Sequence, residues 1–290
     1  GDSMTNEMIS EEKELNSNVK SDRMGTAPIG RLLASMAWPA ILSMTINALY
    51  NVVDSIFVAQ ISEDALTGVS IANPVQMLII AVSVGSGVGI NSLIARRLGA
   101  KNQKEADKAA STSIRIALFN YLLFLFIGIF LTGPFISGYA EKGTAIYESA
   151  TTYLSIVLIG SLFINVQVIL EKVLQSTGNM VGPMACAMTG AIVNIILDPI
   201  LIFGLFGMPR LEIAGAALAT VIGQFAGMCV GIIVIAKGDH LVKIQLRGFK
   251  MDWKIVKDIY KVGFPSIIMQ SLASFMTIFL NMILVAYSTT

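Results

Sequence analysis

The sequence predicts an all-α membrane protein. Three observations carry that prediction: the composition, the length of the apolar segments and the distribution of basic residues. Of the 290 residues, 54% are hydrophobic and only 13% are charged, and the mean hydropathy is +0.73. A soluble globular domain carries about 25% charged residues, so a buried core alone does not account for this excess of apolar side chains. Helices that face lipid do account for it.

Seven apolar segments are long enough to cross a bilayer, which takes about 20 residues per helix. They are predicted near residues 32–59, 66–94, 114–136, 147–174, 181–206, 213–236 and 262–287. Several are longer than a straight crossing needs, so tilted helices are expected. The resulting domains are a cytoplasmic tail (1–28), a six-helix lobe (29–240), a cytoplasmic amphipathic linker (241–261) and the start of a second lobe (262–290).

The lysines and arginines predict the orientation of these helices. If the seven segments alternate in direction, all but two of the 20 basic residues fall on the side of the N-terminal tail. The two exceptions are Lys142 and Arg210. Because loops rich in positive charge stay in the cytoplasm, we expect a multi-pass protein of the plasma (inner) membrane with its N-terminus inside. The net charge of +1 gives no reason to expect a nucleic-acid partner.

Ionisable residues inside a membrane are costly and mark functional sites, and the first candidate is Asp54. Asn47, Tyr50, Asn51 and Asp54 recur at the spacing of one helix face. A polar stripe in an apolar helix must face a cavity or another helix. The alternative is a hydrogen-bond network that only holds helices together.

The second candidate is Asp198, which shares a helix face with Asn194. Pro199 follows it and leaves a backbone carbonyl without its helical partner. A small cation could bind there, and the alternative is a simple kink. Asp54 and Asp198 are both expected roughly 8–12 Å below the outer helix ends, at about 1.5 Å per residue. Two carboxylates at one depth could share a site, and since they repel each other when ionised, H⁺ or Na⁺ is the expected occupant.

Two other acids have simpler interpretations. Glu171 lies near the inner end of the fourth segment, and its carboxylate is expected to reach the inner membrane surface. Glu212 is expected at the outer interface, paired with Arg210 or solvated. The candidates for lining a substrate cavity are Asn47, Asn51 and Gln167.

A weak internal repeat indicates a larger protein. The approach to the first segment reads LLASMAWPAILSM and the approach to the seventh reads IYKVGFPSIIMQS, with Pro39 aligned to Pro265. Transporters are commonly built from such repeats. The seventh segment would then begin a second copy of the six-helix unit, and the chain would stop inside that copy.

Seven motifs recur in a specific order: WPAIL, NVVDSIFVAQI, ALTGVSIANPV, ARRLGAKN, KVLQSTGNMVGPM, NIILDPILIFG and IAGAALATVIGQ. Through them the sequence resembles the multidrug and toxic compound extrusion (MATE) family, and in particular its bacterial MepA-like branch. The resemblance implies a twelve-helix parent with two six-helix lobes. It also implies an antiporter that exchanges H⁺ or Na⁺ for cationic, amphipathic drugs by alternating access, with no cofactor besides the coupling ion.

The resemblance further implies a cation site in the first lobe. The family's helix-one aspartate and the tyrosine one turn earlier correspond to Asp54 and Tyr50. Its helix-five pair corresponds to Asn194 and Asp198, and a helix-six threonine corresponds to Thr220. Na⁺, if it is the coupling ion, is expected at Asp54, Asn194 and Asp198.

One family feature is missing from the sequence. Some members carry a carboxylate in helix seven, whereas residues 262–287 contain none and Asn281 is the most polar interior residue there. The coupling site is therefore expected in the first lobe.

Three other functions fit the sequence less well. A lipid-linked oligosaccharide flippase of the same architecture would line its cavity with basic residues, and the predicted helix interiors hold almost none. A membrane scaffold or receptor does not explain two aspartates at matching depth. An intramembrane enzyme would need a metal pattern or a Ser/His pair within the helices, and neither is present. The expected partners are the lipid bilayer, cationic drugs and the missing second lobe.

Overall fold

The computed structural model describes residues 8, 9, 11, 25–238, 242, 244 and 252–288. Most of the predicted tail (1–28) and the first half of the predicted linker (241–261) lie outside them. The main helices of the described ranges are α1 (Ile29–Ala59), α2 (Glu63–Gly99), α3 (Gln103–Ser137), α4 (Ala145–Ile159), α5 (Ser161–Ser176), α6 (Val181–Phe203), α7 (Ile213–Lys237) and α8 (Trp253–Ser288).

Length and composition confirm the predicted all-α membrane fold. Six of these helices, α1, α2, α3, α6, α7 and α8, are individually long and apolar enough to span a bilayer. The helices α4 and α5 pass the same test as a pair, with a bend of 49° between them. Counting the pair as one broken crossing gives seven, which matches the seven predicted segments.

The break between α4 and α5 occurs at Gly160. A Cβ atom at this position would stand 2.5 Å from Val221 Cγ1 on α7, so a larger residue would push the two helices apart. The bend lets α5 continue across α7 while α4 packs on α2. The fourth predicted segment is therefore one crossing made of two helices.

The central helix of the lobe is α2, and both of its ends are well capped. The Ser62 hydroxyl accepts a hydrogen bond from Ala65 N at 3.0 Å. Acidic residues stand in the first turn and Arg96 and Arg97 in the last, where they complement the helix dipole. Around α2, buried aliphatic side chains form two clusters, one near each end of the lobe.

Two glycines bring α8 against α2. A Cβ atom on Gly85 would overlap the Ile267 side chain, and one on Gly89 would overlap the Ile259 carbonyl oxygen. An ion pair between Arg97 and Asp258, at 3.8 Å, adds to the contact. Because α8 runs without a break from Trp253, the predicted boundary at residue 262 falls inside a continuous helix.

The helices α6 and α7 form a close antiparallel pair. A Cβ atom on Gly223 would stand 2.7 Å from the Gly190 carbonyl oxygen, and one on Gly215 would stand 2.5 Å from the Leu201 carbonyl oxygen. Between the helices the chain turns through Gly204, whose φ of 73° suits glycine. An ion pair from Arg210 to Glu212, at 3.4 Å, follows the turn, so of the two alternatives expected for Glu212 the structure shows the pairing.

Candidate cation site

Asp54 of α1 and Asp198 of α6 lie side by side inside the lobe. Their carboxyl groups lie close enough to interact directly with each other. Both side chains are buried, with 9% and 1% of their surface exposed. Among the described residues, Asp54 Oδ1 has no hydrogen-bond partner. Two buried carboxyl groups in contact need a positive charge or a shared proton between them.

The way α1 is attached makes this contact unusual. Only three of its residues are buried, namely Pro39, Asp54 and Val58. Asp54 and Val58 are one turn apart, and they dock the end of α1 on α6. Burying an aspartate is costly unless a partner compensates its charge. A contact that only held the helices together could use apolar side chains at lower cost, so the acid pair indicates a binding role.

Asn194 lies one turn before Asp198 and interacts with the same carboxylate. With the amide oriented as its surroundings require, Asn194 Nδ2 donates to Asp198 Oδ1 at 3.2 Å and to Oδ2 at 3.3 Å. The close approach of α7 positions this side chain, because the missing side chain of Gly223 leaves room for it. A Cβ atom on Gly223 would stand 3.2 Å from Asn194 Cβ.

Tyr153 of α4 joins the site, and the sequence analysis missed it. Its hydroxyl donates to Gln76 Oε1 at 3.4 Å and lies close to Thr220. It lies close enough to Asp54 and Asp198 to interact with their charges. The sequence shows only a tyrosine within an apolar segment. That this tyrosine faces the acids depends on how α4 packs between α2 and α7. Such packing cannot be derived from one helix.

Replacing Tyr153 with phenylalanine is expected to destabilise the protein by about 1–3 kcal/mol, because it leaves the half-buried Gln76 Oε1 without its donor. Thermal unfolding of the purified protein measures the loss. The matched control is Tyr121→Phe, since the Tyr121 hydroxyl donates to the Ile159 carbonyl at an exposed position. Equal unfolding temperatures for the two variants would contradict the role given to Tyr153.

The structure brings together five of the predicted coupling residues. Tyr50 interacts with the charges of both aspartates, and Thr220 reaches the site through Tyr153. One turn beyond the acids, the rings of Phe57 and Phe203 meet edge to face, with centroids 6.3 Å apart. The predicted residues at the site are Tyr50, Asp54, Asn194, Asp198 and Thr220.

The three residues predicted to line a substrate cavity do not lie at the acid pair, and their role there stays a prediction. Asn47 and Asn51 are exposed on the surface of α1. Gln167 is buried between α5 and α7 and donates to Glu171 Oε1 at 2.9 Å. The Glu171 carboxylate therefore turns back along α5 toward Gln167, whereas the prediction had it reaching toward the helix end. A buried amide donor within one turn is the physical reason for the difference.

The site offers oxygen atoms from two carboxyl groups and from hydroxyl groups, while the Asn194 amide donates to one of the acids. Oxygen-only sets suit protons and hard cations such as Na⁺. Within the described ranges, no group of three His, Cys, Asp or Glu side chains comes together as a metal site. Two carboxyl groups and their hydroxyl neighbours thus provide the oxygen atoms that a proton or a hard cation would need.

Comparisons with known proteins agree with this architecture. Residues 39–200 match the MatE family. The probable multidrug resistance protein NorM of Thermotoga maritima is 29% identical over 261 residues, which cover 89% of this chain and 55% of that protein. The FAD transporter of Shewanella oneidensis is 31% identical over 224 residues, which cover 74% and 48%. The multidrug export protein MepA of Staphylococcus aureus is 26% identical over 265 residues, which cover 90% and 57%.

Solved structures extend the match to three dimensions. An outward-facing multidrug resistance MATE family transporter superposes with a TM-score of 0.74 at 32% identity, covering 84% of this chain and 54% of the other. An inward-facing MATE family transporter gives a TM-score of 0.75 at 31% identity, covering 84% and 56%. The chain spans about half the length of the relatives it matches. With more than half of its residues matched, this multi-pass membrane protein belongs to the MatE family of transporters.

Proposed function

We propose that the full-length protein exports cationic, amphipathic drugs in exchange for H⁺ or Na⁺. The observation that carries this proposal is the contact between the buried carboxyl groups of Asp54 and Asp198. An inward-directed cation would bind there from outside. Both acids must lose their mutual repulsion to stay in contact, and cation binding or protonation achieves that.

The coupling works through α1. Asp54 and Val58 hold α1 against α6, and most of the remaining α1 surface is exposed. When the pair is occupied, α1 stays docked; when both carboxylates are bare, repulsion favours its release. A ligand shifts such an equilibrium only by its differential affinity for the two states. Drug binding that requires an undocked α1 would thus compete with the cation, which gives antiport by alternating access.

Asn194 supplies a second element of the exchange. In the structure its amide nitrogen donates to Asp198, an arrangement compatible with a shared proton. Rotation of the amide by half a turn would present its oxygen to the same position, where Na⁺ could bind it together with Asp54 and Asp198 oxygens. One site could then serve H⁺ and Na⁺ with little rearrangement.

Phosphate-bearing anions are a second candidate substrate class, because one relative is an FAD transporter. FAD carries phosphate groups, and a flippase of lipid-linked oligosaccharides would also bind phosphate. Such anions need lysine or arginine in the cavity. None of the buried side chains of the described residues is basic, which favours a cationic substrate.

We further propose that the N-terminus is cytoplasmic and that the protein lies in the plasma (inner) membrane. The asymmetry of the lysines and arginines supports this orientation. A cysteine replacing Lys142, in the α3–α4 turn, is expected to react with an impermeant maleimide in intact cells. Labelling only after the cells are broken would show that the protein has the opposite orientation.

The substrate proposal is tested with the full-length protein in proteoliposomes. Ethidium transport is measured under an imposed pH gradient, then under a Na⁺ gradient, with radiolabelled FAD as a parallel substrate. We expect ethidium to move against at least one cation gradient, and FAD not to move. Cation-driven FAD transport without ethidium transport would overturn the proposal.

A further inference from the structure

A line of buried polar side chains leaves the acid pair and runs along α7. Thr220, Gln224 and Gly227 follow one another at i, i+4 and i+7, so they share one helix face. Thr220 contacts Tyr153 at the acid pair. Gln224, one turn further on, is 8% exposed, and its Oε1 has no hydrogen-bond partner among the described residues.

Gln167 of α5 packs against this face of α7 at Gly227. Its Oε1 lies 2.6 Å from where a Cβ atom of Gly227 would stand, so the amide occupies the space that the glycine leaves. Gln167 is 7% exposed, and in the described part of the chain its Oε1 also lacks a partner. Its Nε2 donates to Glu171 Oε1 at 2.9 Å. The polar line therefore ends on a carboxylate.

The charge on Glu171 is only weakly compensated by its neighbours. Lys172 interacts with it electrostatically, but Lys172 Nζ donates to Gln175 Oε1 at 3.1 Å and the lysine stem packs against Gly87 of α2. On α6, the group that faces Glu171 is the Cys186 thiol. A carboxylate and two amide oxygens without donors form an environment that attracts a positive charge or a water molecule.

We propose that Gln224, Gln167 and Glu171 form a second small-cation site, through which the coupling ion passes between the acid pair and the inner face. This deepens the proposed function and depends on it for the direction of ion movement. From Thr220 to Gly227 the line covers about 10 Å, at about 1.5 Å per residue along a helix. Both α5 and α7 run away from the acid pair in the same direction, and Glu171 lies one turn beyond Gln167.

The ligand is Na⁺ or a proton carried by water. The groups that Gln224, Gln167 and Glu171 offer are amide and carboxylate oxygen atoms, which suit both ions. The side chains of Gln167 and Gln224 are more than nine-tenths buried. Side chains buried to this degree suit a bare ion or a single water molecule, whereas an amphipathic drug needs a cavity of a few hundred Å³.

The test uses the full-length protein in lipid nanodiscs with both acids neutralised by Asp54→Asn and Asp198→Asn. This background removes the first site and leaves the second. Equilibrium binding of radioactive Na⁺ measures the Na⁺ arm, and the infrared carbonyl band of a protonated carboxylic acid, followed during acidification, measures the proton arm. Adding Glu171→Gln is expected to weaken residual Na⁺ binding at least about tenfold or to remove one protonatable carboxyl from the infrared spectrum.

The matched control is Glu148→Gln, which makes the same change at an exposed carboxylate in the first turn of α4. It should leave both Na⁺ binding and the infrared band of a buried carboxylic acid unchanged. A second variant, Gln224→Leu, keeps the carboxylate but removes the intermediate oxygen. It is expected to slow cation-driven transport in an otherwise unmodified protein at least about tenfold while Na⁺ binding at Glu171 persists.

Two results would overturn the second site. One is that Glu171→Gln changes neither Na⁺ binding nor the infrared band beyond the Glu148→Gln control. The other is that Gln224→Leu transports at the unmodified rate, which would leave these groups as holders of structural water only. Loss of transport in the Asp54→Asn variant alongside either result would leave the proposed function standing. Unchanged transport in that variant would instead remove the proposed function itself.

Discussion

Replacing Asp198 with asparagine in the full-length protein is expected to reduce cation-driven ethidium efflux by about 10- to 100-fold. A loss of this size corresponds to a typical coupling free energy between two binding sites. The neutral amide removes both the repulsion that releases α1 and the charge that attracts the cation. Asp54→Asn should have the same effect, because the two carboxyl groups lie together and are proposed to bind one cation. The double variant should lose little more efflux than either single variant, since the effects of substituting two partners of one interaction are not additive.

The control for these variants is Asp64→Asn. Asp64 is an exposed acid in the first turn of α2, so the same substitution there should leave efflux within about twofold, as for most surface changes. Efflux and protein abundance are measured in the same cells. Normal efflux by Asp54→Asn, or a double variant whose loss equals the product of two independent losses, would be inconsistent with a shared site.

Replacing Gly223 with alanine is expected to destabilise the lobe by about 1–3 kcal/mol through overpacking. The added Cβ atom would stand 2.7 Å from the Gly190 carbonyl oxygen and 3.2 Å from Asn194 Cβ. The nearest atom belongs to the backbone, so α6 and α7 must move apart. Because α6 carries Asn194 and Asp198, the same displacement should weaken cation binding.

Gly231→Ala provides the comparison on the same helix. A Cβ atom there would stand 3.3 Å from Leu170 Cδ1 and 3.4 Å from Cys186 Sγ, which are side-chain atoms that can adjust. Alanine is favoured over glycine in a helix by about 1 kcal/mol, so this variant should unfold at the same or a higher temperature. If Gly223→Ala were as stable as Gly231→Ala, the tight α6–α7 contact would be wrong.

The sequence alone was sufficient to predict the class of fold and to identify the two aspartates buried within the membrane-spanning helices. Apolar length predicted seven crossings because spanning helices must satisfy their backbone internally. Asp54 and Asp198 stood out because ionised groups are rare at that depth. Their matching distance from the helix ends predicted one shared position, and the structure places them in contact.

What the sequence could not supply depends on how helices pack. The position of Tyr153 near the acids follows from the bend at Gly160 and the approach of α4 to α2 and α7. Asn47 and Asn51 share a stripe with Asp54, yet the rotation of α1 on α6 leaves them exposed. The same limit applies to Glu171, whose direction is set by a hydrogen bond from Gln167. Helical periodicity predicts which residues share one face of a helix. Only tertiary contacts decide which element that face packs against.

Competition between cation and drug is the central claim, and equilibrium binding of ethidium to the purified full-length protein tests it most directly. Ethidium affinity is measured as Na⁺ is raised at constant pH, and again as the pH is lowered without Na⁺. We expect one of the two cations to weaken ethidium binding at least about tenfold, and expect no such change in the Asp54→Asn, Asp198→Asn double variant. An equal loss of affinity in the unmodified protein and the double variant would show that the acid pair does not couple the cation to the drug.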